Sequence, residues 1–165
     1  MSILQLDAEA LYLDLLAGVR PLLQADAVLV GVWSGGAWLA ERLQRDLQRP
    51  GAHGVISSTL HRDDFGSRGL AGADATRLPF DVTDRPIVLI DDVLYTGRTI
   101  RAVLNELFDF GRPASVALAV LVDRGGRELP IAAAYSAARI TLPREQRLSL
   151  ARSEAGAFSF DIRGG

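Results

Sequence analysis

The chain has 165 residues, 48% of them hydrophobic, which fits one domain with a sizeable core and argues against disorder. Its formal net charge of −2 argues against a general polyanion binder, and the lack of cysteine excludes disulfides and thiolate chemistry. The N-terminus has no basic region before Asp7 and Glu9, and no apolar run reaches membrane-spanning length, so we expect a cytoplasmic protein without a signal peptide.

The first half of the chain predicts two helices and two strands. A helix is expected over residues 6–23, with Asp7 as its N-cap, because apolar residues recur at helical spacing. Residues 27–32 are a short apolar run typical of a buried strand, and residues 37–49 predict the next helix. A second strand is expected over residues 55–60. The Gly-rich stretch that follows, residues 65–83, has the length of a lid or binding loop.

The turn Trp33-Ser34-Gly35-Gly36 joins the first predicted strand to its helix. A strand, a glycine-containing turn and a helix form an anion site, because the amides at a helix N-terminus are free to bind. The alternative is that Gly35 and Gly36 only allow the helix to begin beside a crowded strand.

Residues 86–99 are the segment around which the chain is organised. Residues 87–90 are four consecutive apolar residues, typical of a strand buried on both faces of a parallel sheet. Asp91 and Asp92 follow where this strand is expected to end, and binding groups in open α/β sheets collect there. Ionised carboxylates only accept hydrogen bonds, so two ribose hydroxyls or a hydrated Mg²⁺ would suit them.

The stretch Thr96-Gly97-Arg98-Thr99 opens the helix predicted over residues 99–110. It offers backbone amides, two hydroxyls and a guanidinium at a helix N-terminus, and Gly97 permits a tight turn, so it can cradle a phosphate. An acidic pair followed by a phosphate cradle is what a phosphorylated ribose needs. The alternative is that the two aspartates only end the strand and Thr99 only caps the helix.

The last third of the chain completes the predicted fold. Residues 115–122 form another apolar strand, in a right-handed βαβ unit with the strand at 87–92. Residues 139–142, 147–151 and 158–162 alternate as strands of an antiparallel ribbon. The predicted fold class is therefore α/β, a mostly parallel central sheet flanked by helices, with a small antiparallel C-terminal part. We expect a single domain over residues 1–165.

Residues 88–99 resemble the phosphoribosyl-pyrophosphate (PRPP) binding motif of the type I phosphoribosyltransferases. Their sequence is similar to that of the PyrR group, the pyrimidine-operon regulators with uracil phosphoribosyltransferase activity. Residues 61–64, 80–84 and 121–130 also match this group, so the resemblance runs from about residue 6 to residue 135. It implies the type I phosphoribosyltransferase fold, with a lid at about residues 62–83 that closes over PRPP and excludes water.

The resemblance implies an enzyme that converts uracil and PRPP to UMP and pyrophosphate with Mg²⁺. Asp91 and Asp92 would be catalytic, facing the ribose hydroxyls and Mg²⁺. Arg62 would contact the leaving pyrophosphate, since a guanidinium matches phosphate geometry; the alternative is a solvated charge cluster with its acidic neighbours. The residues expected to bind PRPP are Ser34, Gly35, Gly36, Val93, Tyr95, Thr96, Gly97, Arg98 and Thr99. The residues expected to line the base pocket are Asp123, Arg124 and Arg127, for which the alternative is an ordinary charged loop.

Other functions stay open at this point. As a regulator, the protein would bind UMP or UTP in the same pocket to gate RNA binding. The chain has no lysine and its arginines are dispersed, which favours enzyme or nucleotide-sensing activity over RNA attenuation. The PRPP motif does not fix the base, so a purine is an alternative substrate. Trp33 and Gly35 stand where relatives often carry basic residues, so binding without catalysis is a further alternative. The family also implies a homodimer or higher homo-oligomer.

Overall fold

The computed structural model describes residues 6–58 and 76–164. Arg62 and most of the expected lid lie outside the described residues. The strand expected over residues 55–60 is observed as Gly54–Ile56, and the last two residues of that prediction also lie outside the described part. Arg77, near the end of the expected lid, forms an antiparallel bridge with Val55.

The central sheet has five parallel strands in the order β2-β1-β3-β4-β5. Its strands are β1 (Val28–Val32), β2 (Gly54–Ile56), β3 (Pro86–Leu94), β4 (Ser115–Asp123) and β5 (Tyr135–Arg139). β3 lies in the middle, with Leu89 paired to Val30 of β1 and to Leu118 of β4. This central place explains the uninterrupted apolar run, because side chains on both faces of β3 are buried.

Helices cover the two faces of the sheet: α1 (Ala8–Val19), α2 (Gly35–Asp46) and α3 (Arg98–Asp109). Val88 and Ile90 of β3 pack in one core with residues of α1 and α2, whereas the alternate residues of β3 pack in a second core with α3. Within residues 6–58 and 76–164, no helix is long and apolar enough to cross a membrane. The prediction of a mostly parallel α/β sheet flanked by helices is confirmed.

The first predicted helix is shorter than expected. Asp7 caps α1 as predicted, since its Oδ1 accepts a hydrogen bond from the Ala10 amide at 3.1 Å. α1 ends at Val19, and Arg20–Leu22 continue as a single 3₁₀ turn. Pro21 lies in this turn, where its missing N–H removes a hydrogen bond of a continued α-helix.

The C-terminal ribbon has two strands in the described part of the chain: β6 (Arg147–Arg152) and β7 (Phe158–Arg163), which pair antiparallel. The expectation of a third ribbon strand at residues 139–142 was wrong. The nearby strand β5 instead pairs parallel with β4, with Tyr135 opposite Ala119, and forms the edge of the central sheet. β5 itself does not alternate in polarity and shares only Arg139 with the predicted segment, so the alternation at residues 139–142 did not mark a strand.

Candidate active site

A cleft of about 800 Å³ lies at the carboxyl end of β3, a volume typical of small-molecule sites. Three predicted segments meet there: the turn after β1, the acidic end of β3, and the loop before α3. Predicted site residues that line the cleft are Ser34, Gly35, Asp91, Asp92, Val93, Tyr95, Thr96, Thr99 and Arg124.

The Asp91 side chain is buried, with 7% of the residue exposed. Its Oδ1 accepts a hydrogen bond from the Asp92 amide at 2.8 Å. Burial raises the pKa of Asp91 well above its usual range, and the charge of Asp92 raises it further. A cation or a positively charged ribose bound here would stabilise the ionised form of Asp91 and so counteract this rise in its pKa. A carboxyl group with a raised pKa in a cleft is characteristic of functional sites.

The Asp92 carboxylate connects two parts of the chain. Its Oδ1 accepts a hydrogen bond from the Val93 amide at 2.9 Å, and its Oδ2 accepts one from the Leu150 amide of β6 at 3.1 Å. No arginine among the described residues forms an ion pair with Asp91 or Asp92. A carboxylate has about four lone-pair sites, so acceptor capacity remains for a ligand.

Gly35 and Gly36 bring the N-terminus of α2 directly against β3. A Cβ atom at Gly36 would overlap the Ile90 carbonyl oxygen, and one at Gly35 would lie 2.5 Å from Asp92 Oδ2. The crowded-strand explanation for the two glycines therefore holds in this fold. The same close approach places Ser34 and Gly35 in the cleft, so their role in anion binding stays a prediction. The Trp33–Ser34 peptide bond is cis.

The loop Thr96–Thr99 is held in shape by its own backbone and by residues 128–129. Gly97 is the N-cap of α3 with φ 94°, a left-handed conformation that glycine adopts at little cost. α3 therefore begins at Arg98, one residue before the predicted start. The Thr96 carbonyl oxygen accepts hydrogen bonds from the Glu128 and Leu129 amides at 2.9 and 3.1 Å. The first amides of α3 have no carbonyl partner within the helix, and that of Arg98 donates to Thr96 Oγ1 at 3.2 Å instead. A phosphate bound at this helix N-terminus could take the place of that hydroxyl.

Arg98 does not line the cleft. Its Nε donates a hydrogen bond to Glu128 Oε1 at 2.8 Å, and most of its side chain is exposed. This contact holds the pKa of Glu128 below its usual range. Thr96 and Thr99 are the loop side chains on the cleft side, and the role of Arg98 in PRPP binding stays a prediction.

The residues predicted to line the base pocket divide into two groups. Arg124 lines the cleft and is 5% exposed; its guanidinium donates to the carbonyl oxygens of Gln146 at 2.8 Å and Pro143 at 3.0 Å. It also stacks on the Tyr95 ring, 4.0 Å from the ring centroid. Arg124 thereby joins the loop before α3 to the segment that leads into β6.

Asp123 and Arg127 pair with each other outside the cleft lining. Arg127 donates a hydrogen bond to Asp123 Oδ2 at 2.6 Å, and this contact holds the pKa of Asp123 below its usual range. Arg127 also donates to the Tyr95 carbonyl oxygen at 2.7 Å and to the Ile131 carbonyl oxygen at 2.8 Å. Through the bond to Tyr95, Arg127 helps to hold the loop before α3 in place. Base contact by either residue stays a prediction.

The sequence interpretation missed the contribution of the C-terminal ribbon. Arg147 and Ser149 of β6 and Asp161 and Arg163 of β7 line the cleft, together with Arg144 from the preceding segment. The ribbon was predicted only as secondary structure. The available signal in the sequence was a pair of arginines, Arg147 at the start of β6 and Arg163 at the end of β7, which lie opposite each other. Nothing local in the sequence shows that this end of the ribbon lies at the cleft.

The two adjacent carboxylates fit a Mg²⁺ ion that takes only a few of its ligands from the protein. No group of three or more potential metal-ligating side chains occurs in residues 6–58 and 76–164. Mg²⁺ is commonly held by one or two carboxylates together with substrate phosphates, rather than by an all-protein cage. Asp91 and Asp92 could supply those one or two carboxylates.

Known proteins with similar sequences and folds place the chain in a family. The model of the phosphoribosyl transferase domain family matches residues 17–141. The protein named "Bifunctional protein PyrR" from Ralstonia nicotianae is 51% identical, over 95% of this chain and 92% of its own. The protein of the same name from Nitrosococcus oceani is 42% identical, over 93% of this chain and 91% of its own.

Solved structures agree on the fold. A hypoxanthine-guanine phosphoribosyltransferase from Bacillus anthracis matches with a TM-score of 0.62 and 16% identity, over 83% of this chain and 81% of its own. The corresponding enzyme from Leishmania tarentolae, in complex with GMP, has a TM-score of 0.61 and 19% identity, over 86% of this chain and 84% of its own. The predicted fold class and the predicted family are both confirmed. The chain belongs to the phosphoribosyl transferase domain family and, within it, to the PyrR proteins.

Proposed function

We propose that the protein transfers the 5-phosphoribosyl group of PRPP to uracil, giving UMP and pyrophosphate. The observation that carries the proposal is the pair Asp91 and Asp92, which line the cleft without an arginine partner in the described residues. The helix-opening loop at Thr96–Thr99 lies beside them in the same cleft. The family membership makes a phosphorylated ribose the ligand that fits both features.

The carboxylates act on the ribose. Their free acceptor sites would take hydrogen bonds from the ribose hydroxyls and fix the sugar over the end of β3. When the C1–O bond to pyrophosphate loosens, positive charge develops on the ribose. Negative charge on Asp92, and on Asp91 once a bound cation offsets the rise in its pKa, stabilises that charge more than it stabilises the ground state, which lowers the barrier.

The loop before α3 positions the 5′-phosphate. The amides of the first turn of α3 and the hydroxyls of Thr96 and Thr99 would donate hydrogen bonds to it, with the Arg98 amide exchanging its bond to Thr96 Oγ1 for one to the phosphate. With both ends of the sugar held, a uracil nitrogen attacks C1 of the ribose without a protein nucleophile. The electron pair of the broken C1–O bond leaves with the pyrophosphate, and the proton of the attacking N–H passes to the pyrophosphate or to solvent. Mg²⁺, when bound, would neutralise charge on the pyrophosphate, with Asp91 and Asp92 as the protein groups available to hold it.

A panel of bases tests the proposal. The wild-type protein is incubated with PRPP, Mg²⁺ and either uracil, cytosine, hypoxanthine or guanine, and nucleotide and pyrophosphate are measured. We expect equal amounts of UMP and pyrophosphate with uracil. Preference for a purine would replace the proposed substrate, and no turnover with any base would overturn the proposal.

A second candidate function is regulation by uridine nucleotides, favoured by the name of the relatives, "Bifunctional protein PyrR". UMP or UTP would occupy the same cleft and change the affinity for a nucleic acid. A filter-binding titration against pyrimidine-leader RNA at two salt concentrations tests it. Tight binding that weakens with salt and responds to UTP supports it, whereas binding that does not respond to UTP contradicts it.

A homodimer or higher homo-oligomer is also part of the proposal. Phe108 and Phe110 are about half exposed, and Phe108 borders an apolar groove of about 390 Å³ beside α3. Exposed apolar surface of this kind suits contact with a second copy. Sedimentation equilibrium should give a mass of at least twice 17.7 kDa, and a monomer at all concentrations would contradict it.

A further inference from the structure

The cationic side chains of the cleft come from the C-terminal part of the chain. The turn Trp33–Gly36 has no charged side chain, although it borders the cleft. Among residues 6–58 and 76–164, the positive charges in the lining belong to Arg124, Arg144, Arg147 and Arg163. Within this part of the chain, a substrate that carries a pyrophosphate group therefore meets side-chain cations on the side of the ribbon.

These arginines differ in how far they are already engaged. Arg124 is buried and donates to two main-chain carbonyl oxygens. Arg163 donates to Asp161 Oδ2 at 2.6 Å, and Arg144 lies 4.0 Å from Glu128 Oε2. Arg147 is exposed to the cleft and forms no ion pair with any residue in 6–58 or 76–164.

Arg147 and Arg163 lie directly opposite each other where β6 and β7 pair. Like charges at opposite positions of an antiparallel pair repel each other, which destabilises the ribbon. Asp161 compensates one of the two guanidinium groups. A bound anion between them would compensate the other and would gain two charge-assisted contacts.

The strand that carries Arg147 is anchored on both sides of it. Arg124 holds the Gln146 carbonyl oxygen, one residue before Arg147. Asp92 holds the Leu150 amide, three residues after it. Both anchors are themselves residues of the cleft, so the position of Arg147 is fixed relative to the acidic end of β3. Such preorganisation reduces the entropic cost of binding.

We propose that Arg147, with Arg163 opposite it, binds the pyrophosphate group of PRPP. This inference rests on the proposed function, because it names residues of that site. The 5′-phosphate already has the N-terminus of α3 and two threonine hydroxyls. For the pyrophosphate, the turn Trp33–Gly36 offers backbone amides and the Ser34 hydroxyl but no cation, and Arg62, which we expect to contact it, lies outside the described residues. Among the described residues, the ribbon arginines are the cations in the cleft that remain for this group.

The test compares Arg147→Ala and Arg147→Lys with a matched control, Arg112→Ala. Arg112 is exposed and lies between α3 and β4, at the amino end of the strands, so its removal changes the net charge equally without touching the cleft. Inorganic pyrophosphate and UMP are titrated separately into each protein by calorimetry, and KM for PRPP is measured. UMP lacks the pyrophosphate group and reports the rest of the site.

For Arg147→Ala we expect the Kd of pyrophosphate and the KM for PRPP to rise about tenfold, while the Kd of UMP changes less than about twofold. Arg147→Lys should recover part of the loss, since it restores the charge but not the fork of donors. Arg112→Ala should match the wild type.

An unchanged pyrophosphate affinity in a folded Arg147→Ala protein would overturn the inference and leave the proposed function standing. An equal loss of UMP affinity would also overturn it, because it would mean that Arg147 supports the whole site. If the wild type forms no nucleotide but binds pyrophosphate through Arg147, the proposed function fails and the anion site remains.

Discussion

Asp92 Oδ2 accepts a hydrogen bond from the Leu150 amide at 3.1 Å, across two different sheets. Asp92 follows the apolar run of the central strand, and Leu150 lies in the C-terminal ribbon. A residue expected to hold the ribose therefore also determines where the ribbon closes the cleft. Substitutions of Asp92 can separate these two roles.

Asp92→Asn should lose activity with a smaller loss of stability than Asp92→Ala. The amide keeps one oxygen that can accept from Leu150, but its NH2 group cannot accept from the Val93 amide, and the charge that would stabilise a positive ribose is removed. We expect kcat/KM for PRPP to fall at least about 100-fold. Asp92→Ala should lose the same activity and also about 1–3 kcal/mol of the free energy of unfolding, since the Leu150 amide loses its acceptor.

Steady-state kinetics and urea unfolding of both Asp92 variants check this prediction. Asp109→Asn, at the far end of α3, is the control for removing a carboxylate outside the cleft. If Asp92→Ala were as stable as Asp92→Asn, the bond to Leu150 would have no structural role.

Gly36→Ala should destabilise the protein strongly. The added methyl would overlap the Ile90 carbonyl oxygen, a backbone atom in the middle of the sheet that cannot move aside. We expect a loss of about 2–3 kcal/mol in the free energy of unfolding. Gly51→Ala is the control: Gly51 has φ 79° and no atom within 4 Å of an added methyl, so only a conformational cost of about 1 kcal/mol is expected. Equal losses in the two variants would contradict the crowding at Gly36.

Arg124→Ala should weaken the link between the loop before α3 and the ribbon. It leaves the carbonyl oxygens of Pro143 and Gln146 without this donor and removes the group stacked on Tyr95. We expect a loss of about 2–3 kcal/mol in the free energy of unfolding, with part recovered in Arg124→Lys. Urea unfolding measures it, with Arg112→Ala as the control. A lysine variant no more stable than the alanine variant would show that the charge and hydrogen bonds contribute little.

The Asp123–Arg127 pair should make stability depend on pH. The bond from Arg127 lowers the pKa of Asp123 in the folded protein, so the pair stabilises the fold above the unfolded pKa of about 3.9. This stabilisation is lost as the pH falls through the folded pKa. The wild type should therefore exceed Asp123→Asn by about 1 kcal/mol near pH 7, and the difference should shrink towards zero near pH 2. Urea unfolding of both proteins measures it, and a constant difference would contradict the assignment.

Much of the fold follows from local patterns. The apolar run at residues 87–90 required burial on both faces, and β3 is the middle strand of the sheet. The start of α3 was placed one residue late because Thr99 was considered as a cap, whereas Gly97 takes that position with a left-handed backbone. The parallel pairing of β5 was missed because Tyr135–Arg139 is a short, half-buried strand without alternation, and the alternating residues 140–142 that follow it are not in a strand.

The candidate site was predictable where its residues are close in sequence. Asp91, Asp92, Thr96 and Thr99 lie within one strand–loop–helix unit, so the topology alone brings them to the cleft. Arg147 reaches the same cleft through bonds between residues more than 20 positions apart, such as the one from Arg124 to Gln146. Contacts of this kind leave no periodic signal in the sequence, which is why the ribbon arginines were missed.

A crystal structure with UMP tests the central claim most directly. The claim is that a phosphorylated ribose docks between Asp91–Asp92 and the loop Thr96–Thr99. We expect the ribose hydroxyls within hydrogen-bond distance of the two carboxylates, and the 5′-phosphate on the first amides of α3. UMP bound elsewhere, with this loop empty and both carboxylates free of the sugar, would contradict the account.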